Sequence, residues 1–312
     1  MPHALSPDLC PASTPFICPQ LTAEELATLP ELWITERYKG SSFGLQVKNT
    51  VYQAQSKWQR IDIVDSVRFG RTLLLDGMMM TTALDEFIYH ELITHLPLMT
   101  LASKGISPKR VLVVGGGDGG TIREVLKYPD IEEAVLCELD EAVVRACQAH
   151  MPEWAACLDD SRVTLNFGDA AQTVRQYQDA FDVILVDSTD PVGPGEVLFN
   201  EAFYTAVKNA LKPHGIMTAQ TESPLLEPEI FNMIQRRIKS VFDFSQPVVS
   251  AVPSYPGAIW SWTLASREDV SAPQQLPPWS EAILNTCRYY TLELHRGLLN
   301  GLPNYVKTLC AA

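Results

Sequence analysis

The chain has no run of about 18 apolar residues, no CxxC pair among its seven cysteines and no cluster of lysine and arginine. Each absence removes a class of function. Without a long apolar run, and without a basic stretch leading into one near residue 1, neither a membrane span nor a signal peptide is expected. An odd number of unpaired-looking cysteines argues against a disulfide framework, so a reducing cytoplasm is the expected location. The 24 Lys and Arg are outnumbered by 37 Asp and Glu, for a net charge of −13, so nothing here tracks a phosphate backbone and no nucleic-acid partner is expected. Histidine is scarce as well. His90 and His95 are five apart, one too many for the HExxH zinc arrangement, and no metal site is expected.

What is present is a globular composition, 46% hydrophobic over 312 residues, enough for one large domain or two small ones. Residues 1–30 read as a disordered, proline-rich tail, because prolines at 2, 7, 11, 15 and 19 forbid helix and discourage strand pairing. Residues 31–84 read as a small antiparallel β-domain, with alternating segments at 43–47, 60–64 and 71–75. A helix should start after Asp85 and be limited or kinked by Pro97. From 110 onward strands (111–114, 134–138, 163–167, 181–186, 215–219) alternate with helices (120–128, 140–150, 170–177, 201–211, 227–242), the pattern of an α/β parallel doubly wound sheet. A hairpin at 244–252 and 258–264 should close it, bounding a catalytic domain at 85–270. Residues 271–312 read as a helical extension broken by Gly297, Gly301 and Pro303.

Chemistry is concentrated where strands end. GGGDGG at 115–120 follows the first parallel strand and satisfies GxGxxG, and Glu138 ends the next strand, placed to accept hydrogen bonds from two ribose hydroxyls. That much suits NAD as well as an adenosylated sulfonium. Asp118, inside the turn, would repel a pyrophosphate and attract a cation, although an Asp there can also be a helix cap. Asp169 ends the third strand, either as an acceptor for an adenine amino group or as an N-cap. Asp187 and Asp190 open the loop DSTDPVGP after the fourth. Five acids without basic partners in the same motifs imply a cationic ligand or, as the weaker choice, a metal. If an amine attacks an alkyl sulfonium, its ammonium must first lose a proton, and Asp187, held at a strand end, is the candidate base with Asp190 as anchor. The plain alternative is an Asp-rich turn before Pro191.

WITE at 33–36, LDG at 75–77, DEFIYHE at 85–91, GGGDGG, ELD at 138–140, GDA at 168–170, DSTDPVGP at 187–194 and PSYPG at 253–257 occur in one order. Over roughly 33–270 the chain resembles the polyamine aminopropyltransferases. The resemblance implies a methyltransferase-like Rossmann domain behind a small β-domain and a dimer or tetramer. It also implies aminopropyl transfer from decarboxylated S-adenosylmethionine, as co-substrate with no resident cofactor, to a polyamine. Putrescine is the leading acceptor; agmatine, cadaverine and spermidine remain open, with S-adenosylmethionine-dependent methyl transfer on the same fold the less favoured alternative. By motif, Gln46 and Glu138 would hold the nucleoside, Asp169 and Ala170 the adenine, and Pro194 would border that site. Asp118 would hold the aminopropyl ammonium and Asp187 would be the catalytic acid. Tyr89, His90, Asp190, Gln220 and Tyr255 would orient the amine, with Trp33 walling its channel. The direction of Glu222 is not readable, and the segments outside 33–270 match no motif.

Overall fold

The computed structural model describes residues 21–29, 32–38, 40–191 and 193–311. Residues 1–20 of the expected tail lie outside the described residues. The described remainder departs from that expectation, because Ala23–Thr28 form a short helix (α1), and Thr22 just before it exchanges hydrogen bonds with Glu25. Five strands follow as an antiparallel meander, β1 (Trp33–Tyr38), β2 (Ser41–Gln55), β3 (Arg60–Ser66), β4 (Gly70–Leu75) and β5 (Met78–Thr82).

The long helix α2 (Glu86–Ser103) carries Pro97 inside it instead of stopping there. An interior proline costs a helix about 3 kcal/mol, whereas each fully buried aliphatic side chain contributes about 1.5–3 kcal/mol. Leu96, Leu98, Met99 and Leu101 are all fully buried, so burial carries the helix through.

The α/β unit then runs β6 (Arg110–Gly115), α3 (Gly120–Leu126), β7 (Glu133–Glu138), α4 (Glu141–His150), α5 (Pro152–Ala155), β8 (Val163–Phe167), α6 (Ala170–Val174), β9 (Phe181–Asp187), α7 (Glu201–Ala210), β10 (Leu211–Gln220) and α8 (Pro228–Val241). The hairpin is β11 (Phe244–Ala251) and β12 (Ile259–Ser266), and the chain ends with α9 (Ser280–Leu284), α10 (Leu292–Asn300) and α11 (Asn304–Ala311). Gly297 does not break α10; that helix ends at Gly301, and α11 begins after Pro303.

The large sheet has the order β11-β12-β10-β9-β6-β7-β8, with β6 to β10 parallel and the hairpin antiparallel at one edge. Strand order reverses between β6 and β9, and ligands of open α/β sheets bind at the carboxyl ends beside such a reversal. Residues along β6 alternate between two cores: Val111 and Val113 pack with α2 and α3, Leu112 and Val114 with α6, α7 and α8. Ile61, Ile63, Leu73 and Leu75 of the small sheet join the first core, which fixes that sheet beside the switch point.

Candidate active site

A cavity of about 450 Å³ opens at the carboxyl ends of β6 and β9. Met78, Met79 and Met80 of β5 and the turn residues Trp58 and Gln59 wall it from the small sheet. Close approach of backbone is built in. Gly115 has φ +80°, and a Cβ there would lie 2.1 Å from the Asp187 carbonyl oxygen. A Cβ on Gly120 would lie 2.2 Å from the His90 ring.

Asp118, Glu138, Asp169, Ala170, Asp187, Asp190, Tyr89, His90, Gln220 and Tyr255 all line this cavity. Gln46 and Trp33 do not. They face each other across β1 and β2 at the outer edge of the small sheet, with Trp33 57% exposed. The physical reason is period two: Glu36 is buried, so Trp33, three residues away on the same strand, points to the opposite face. The Pro194 side chain lies outside the described residues.

Asp187 ends β9 with its carboxylate already engaged. Thr121 Oγ1 donates to its Oδ2 at 2.6 Å, and the Tyr89 hydroxyl donates to it as well. Burial and the neighbouring Asp118 push Asp187 up from the ordinary carboxylate range, against the opposing pull of His90 and the two hydroxyls. Asp118 accepts the Gly120 backbone N–H at 2.7 Å and lies 3.5 Å from His90 Nε2. His90 Nδ1 is 2.6 Å from Glu86 Oε2, and Arg123 holds both Glu86 oxygens at 3.1 and 2.9 Å. Burial disfavours charge on His90, but Asp118 and Glu86 on its two nitrogens outweigh it and raise the imidazole to about 10. Glu86 is buried too, yet Arg123 and His90 hold it down to about 2. His90 therefore stands as an imidazolium between two carboxylates.

On the nucleoside side, burial pushes Glu138 up to about 7, with backbone N–H donors from Asp140 and Leu139 opposing. Asp169 caps α6, accepting from Ala171 N at 2.8 Å, and also lines the cavity, so its two readings coexist. Asp140 ties the small sheet to this side: it accepts from Ser56 Oγ at 2.6 Å and Gln59 Nε2 at 3.1 Å.

The opposite end is acidic. Glu222 is buried at φ +68°, an uncommon conformation for a residue with a Cβ, and shares a hydrogen bond with Asp190. Burial and the Asp190 charge push Glu222 up. Glu36 accepts Met79 N at 3.0 Å and is also raised by burial, with Asp190 adding to it. Gln220 serves mainly to hold the loop, donating to Ser188 O at 3.2 Å and accepting Glu222 N at 3.1 Å. Tyr255 spends its hydroxyl on Met80 O at 2.8 Å and turns its ring to Tyr89 and Trp260. Glu36, Gln59 and Thr121 escaped the sequence reading. No local signal marks any of the three; the face that Glu36 takes is set by the register of β1 on β2.

The family model described as the spermine/spermidine synthase domain matches residues 86–274, and that of the spermidine synthase tetramerisation domain matches 32–83. The chain belongs to the spermine/spermidine synthase family. A polyamine aminopropyltransferase of Thermoanaerobacter sp. (strain X514) is 42% identical over 89% of this chain and 98% of its own length. One of Clostridium kluyveri is 40% identical over 89% and 99%. Among solved structures, a spermidine synthase in complex with the transition-state analogue AdoDATO has a TM-score of 0.85 at 37% identity, covering 90% of this chain and 95% of that one. The spermidine synthase from Thermotoga maritima has a TM-score of 0.82 at 36% identity, covering 90% and 94%. The polyamine aminopropyltransferase family thus accounts for both sheets, the small antiparallel one and the Rossmann-like one. Among the described residues, no helix is long and apolar enough to cross a membrane.

Proposed function

We propose that this member of the family transfers the aminopropyl group of decarboxylated S-adenosylmethionine to putrescine, giving spermidine and methylthioadenosine. The observation that carries the reading is electrostatic. Seven acidic side chains, and no lysine or arginine among the described residues, line one cavity that would receive a sulfonium and two amines.

The nucleoside would lie along Glu138 and Asp169, with the aminopropyl ammonium at Asp118. An S-adenosylmethionine carboxylate would meet Asp118 with like charge, which disfavours methyl transfer on the same fold. The acceptor would enter with its reacting nitrogen at Asp187 and its distal ammonium toward Asp190 and Glu36. Asp187 removes a proton from the reacting ammonium, and the freed lone pair attacks the methylene next to sulfur. The C–S bond breaks in line, leaving its electron pair on sulfur as a neutral thioether, and the proton passes from Asp187 to solvent. A raised Asp187 is a better base for this step. The tetramerisation-domain match and the small sheet support a homodimer or homotetramer, and the composition supports a cytoplasmic enzyme.

The test is product analysis by mass spectrometry. Purified protein is incubated with decarboxylated S-adenosylmethionine and equimolar putrescine, cadaverine, agmatine and spermidine. Methylthioadenosine with spermidine as main product is expected. Another aminopropylated amine would keep the transfer and change the acceptor, and no transfer would overturn the reading.

A further inference from the structure

We propose that Thr121 is a positioning residue for the transfer: its hydroxyl holds Oδ2 of Asp187 and so fixes the orientation in which the carboxylate takes the amine proton. The inference rests on the function proposed above and adds a group to it.

Thr121 stands in the first turn of α3 and is fully buried. A helical threonine commonly turns its hydroxyl back to its own helix, but this one reaches across to the end of β9, 2.6 Å from Asp187 Oδ2. That length suits an O–H donating to an ionised carboxylate. The rest of Asp187 is fixed too, since its carbonyl oxygen accepts Gly116 N at 2.8 Å. With backbone and Oδ2 both anchored, rotation of the carboxylate would strand a buried hydroxyl, so the base meets every acceptor in one orientation. The proton taken from the amine goes to the Asp187 carboxylate, and the Thr121 O–H bond stays intact.

The same donor makes Asp187 a weaker base than burial alone would, so the hydroxyl exchanges basicity for orientation. The charged and titratable groups facing Asp187 are Asp118 beside α3, Tyr89 and His90 on α2, Glu138 on β7 and Tyr255 before β12. None of them changes in a Thr121 variant, so differences in pH profile report on this hydroxyl.

The experiment compares wild type with Thr121→Val, which keeps shape and loses the donor, Thr121→Ala, which serves if valine does not pack, and Thr121→Ser, which restores the donor. Steady-state rates are measured across pH for both substrates. For Val and Ala, kcat should fall about tenfold with KM within about twofold, and the acid limb of kcat should move up by about one pH unit. Serine should recover most of the rate. A Val variant with wild-type kcat and limb, a change confined to KM, or a Ser variant no better than Val would each overturn the role of Thr121. Wild type without aminopropyl transfer would instead overturn the proposed function beneath it.

Discussion

Asp118 and Asp187 are two carboxylates in one cavity whose surroundings set them different tasks. Asp118 is tied to the Gly120 backbone N–H and faces the His90 imidazolium, whereas desolvation and the Asp118 charge push Asp187 toward basicity. Replacing Asp187 by Asn keeps the shape and removes the proton acceptor. Turnover should drop about 10²- to 10⁴-fold, while methylthioadenosine binding, followed by calorimetry, should stay near wild type. Near-normal turnover would remove Asp187 as the base. Asp118→Asn removes the like-charge repulsion that a substrate carboxylate would meet. The variant should therefore lose about tenfold or more of its preference for decarboxylated over ordinary S-adenosylmethionine in competition binding, and unchanged preference would sink the repulsion argument.

Between elements, α2 and α3 are joined by a buried ionic chain running from Asp118 through His90 and Glu86 to Arg123, Glu124 and His95. His90 gives that chain a measurable pH signature. Its folded value of about 10 lies above the ordinary 6.5, so the stability it contributes is fully present below about pH 6.5 and lost as pH rises toward 10. In denaturant titrations, the stability difference between wild type and His90→Gln should shrink by about 1.4 kcal/mol per pH unit across that window. A difference independent of pH would mean that His90 is not held charged. Burial along α2 likewise explains why Pro97, expected to limit or kink the helix, does not end it.

Across the whole molecule, the C-terminal segment is fastened to the catalytic unit through a motif that reads as part of the active site. Glu91, in DEFIYHE, is 1% exposed and accepts the backbone N–H groups of Arg288, Tyr289 and Tyr290 at 2.7, 2.8 and 2.7 Å. Arg288 covers the Phe87 ring at 3.7 Å, and Tyr290 bonds His295 of α10 at 2.6 Å. Glu91→Gln keeps one carbonyl acceptor and loses the charge. It should destabilise the fold by about 2 kcal/mol and speed amide exchange of residues 288–290, with kcat within about twofold of wild type. A melting temperature equal to wild type would show that the segment is held elsewhere.

The parallel sheet, the helix order and the acids at strand ends were legible from residues alone, because buried parallel strands read as apolar runs and their ends as glycine and acid. Those are local properties. Which way Trp33 and Glu36 point depends on how β1 registers on β2, and that is decided by the neighbouring strand. The Thr121 and Gln59 contacts span 66 and 81 residues, and neither carries a mark in its own neighbourhood. Sequence by itself determined the chemistry at each strand end and the alternation that carries it. Tertiary structure alone decided which polar groups meet inside the cavity, because hydrogen-bond partners and buried charges are set by packing across elements distant in the chain.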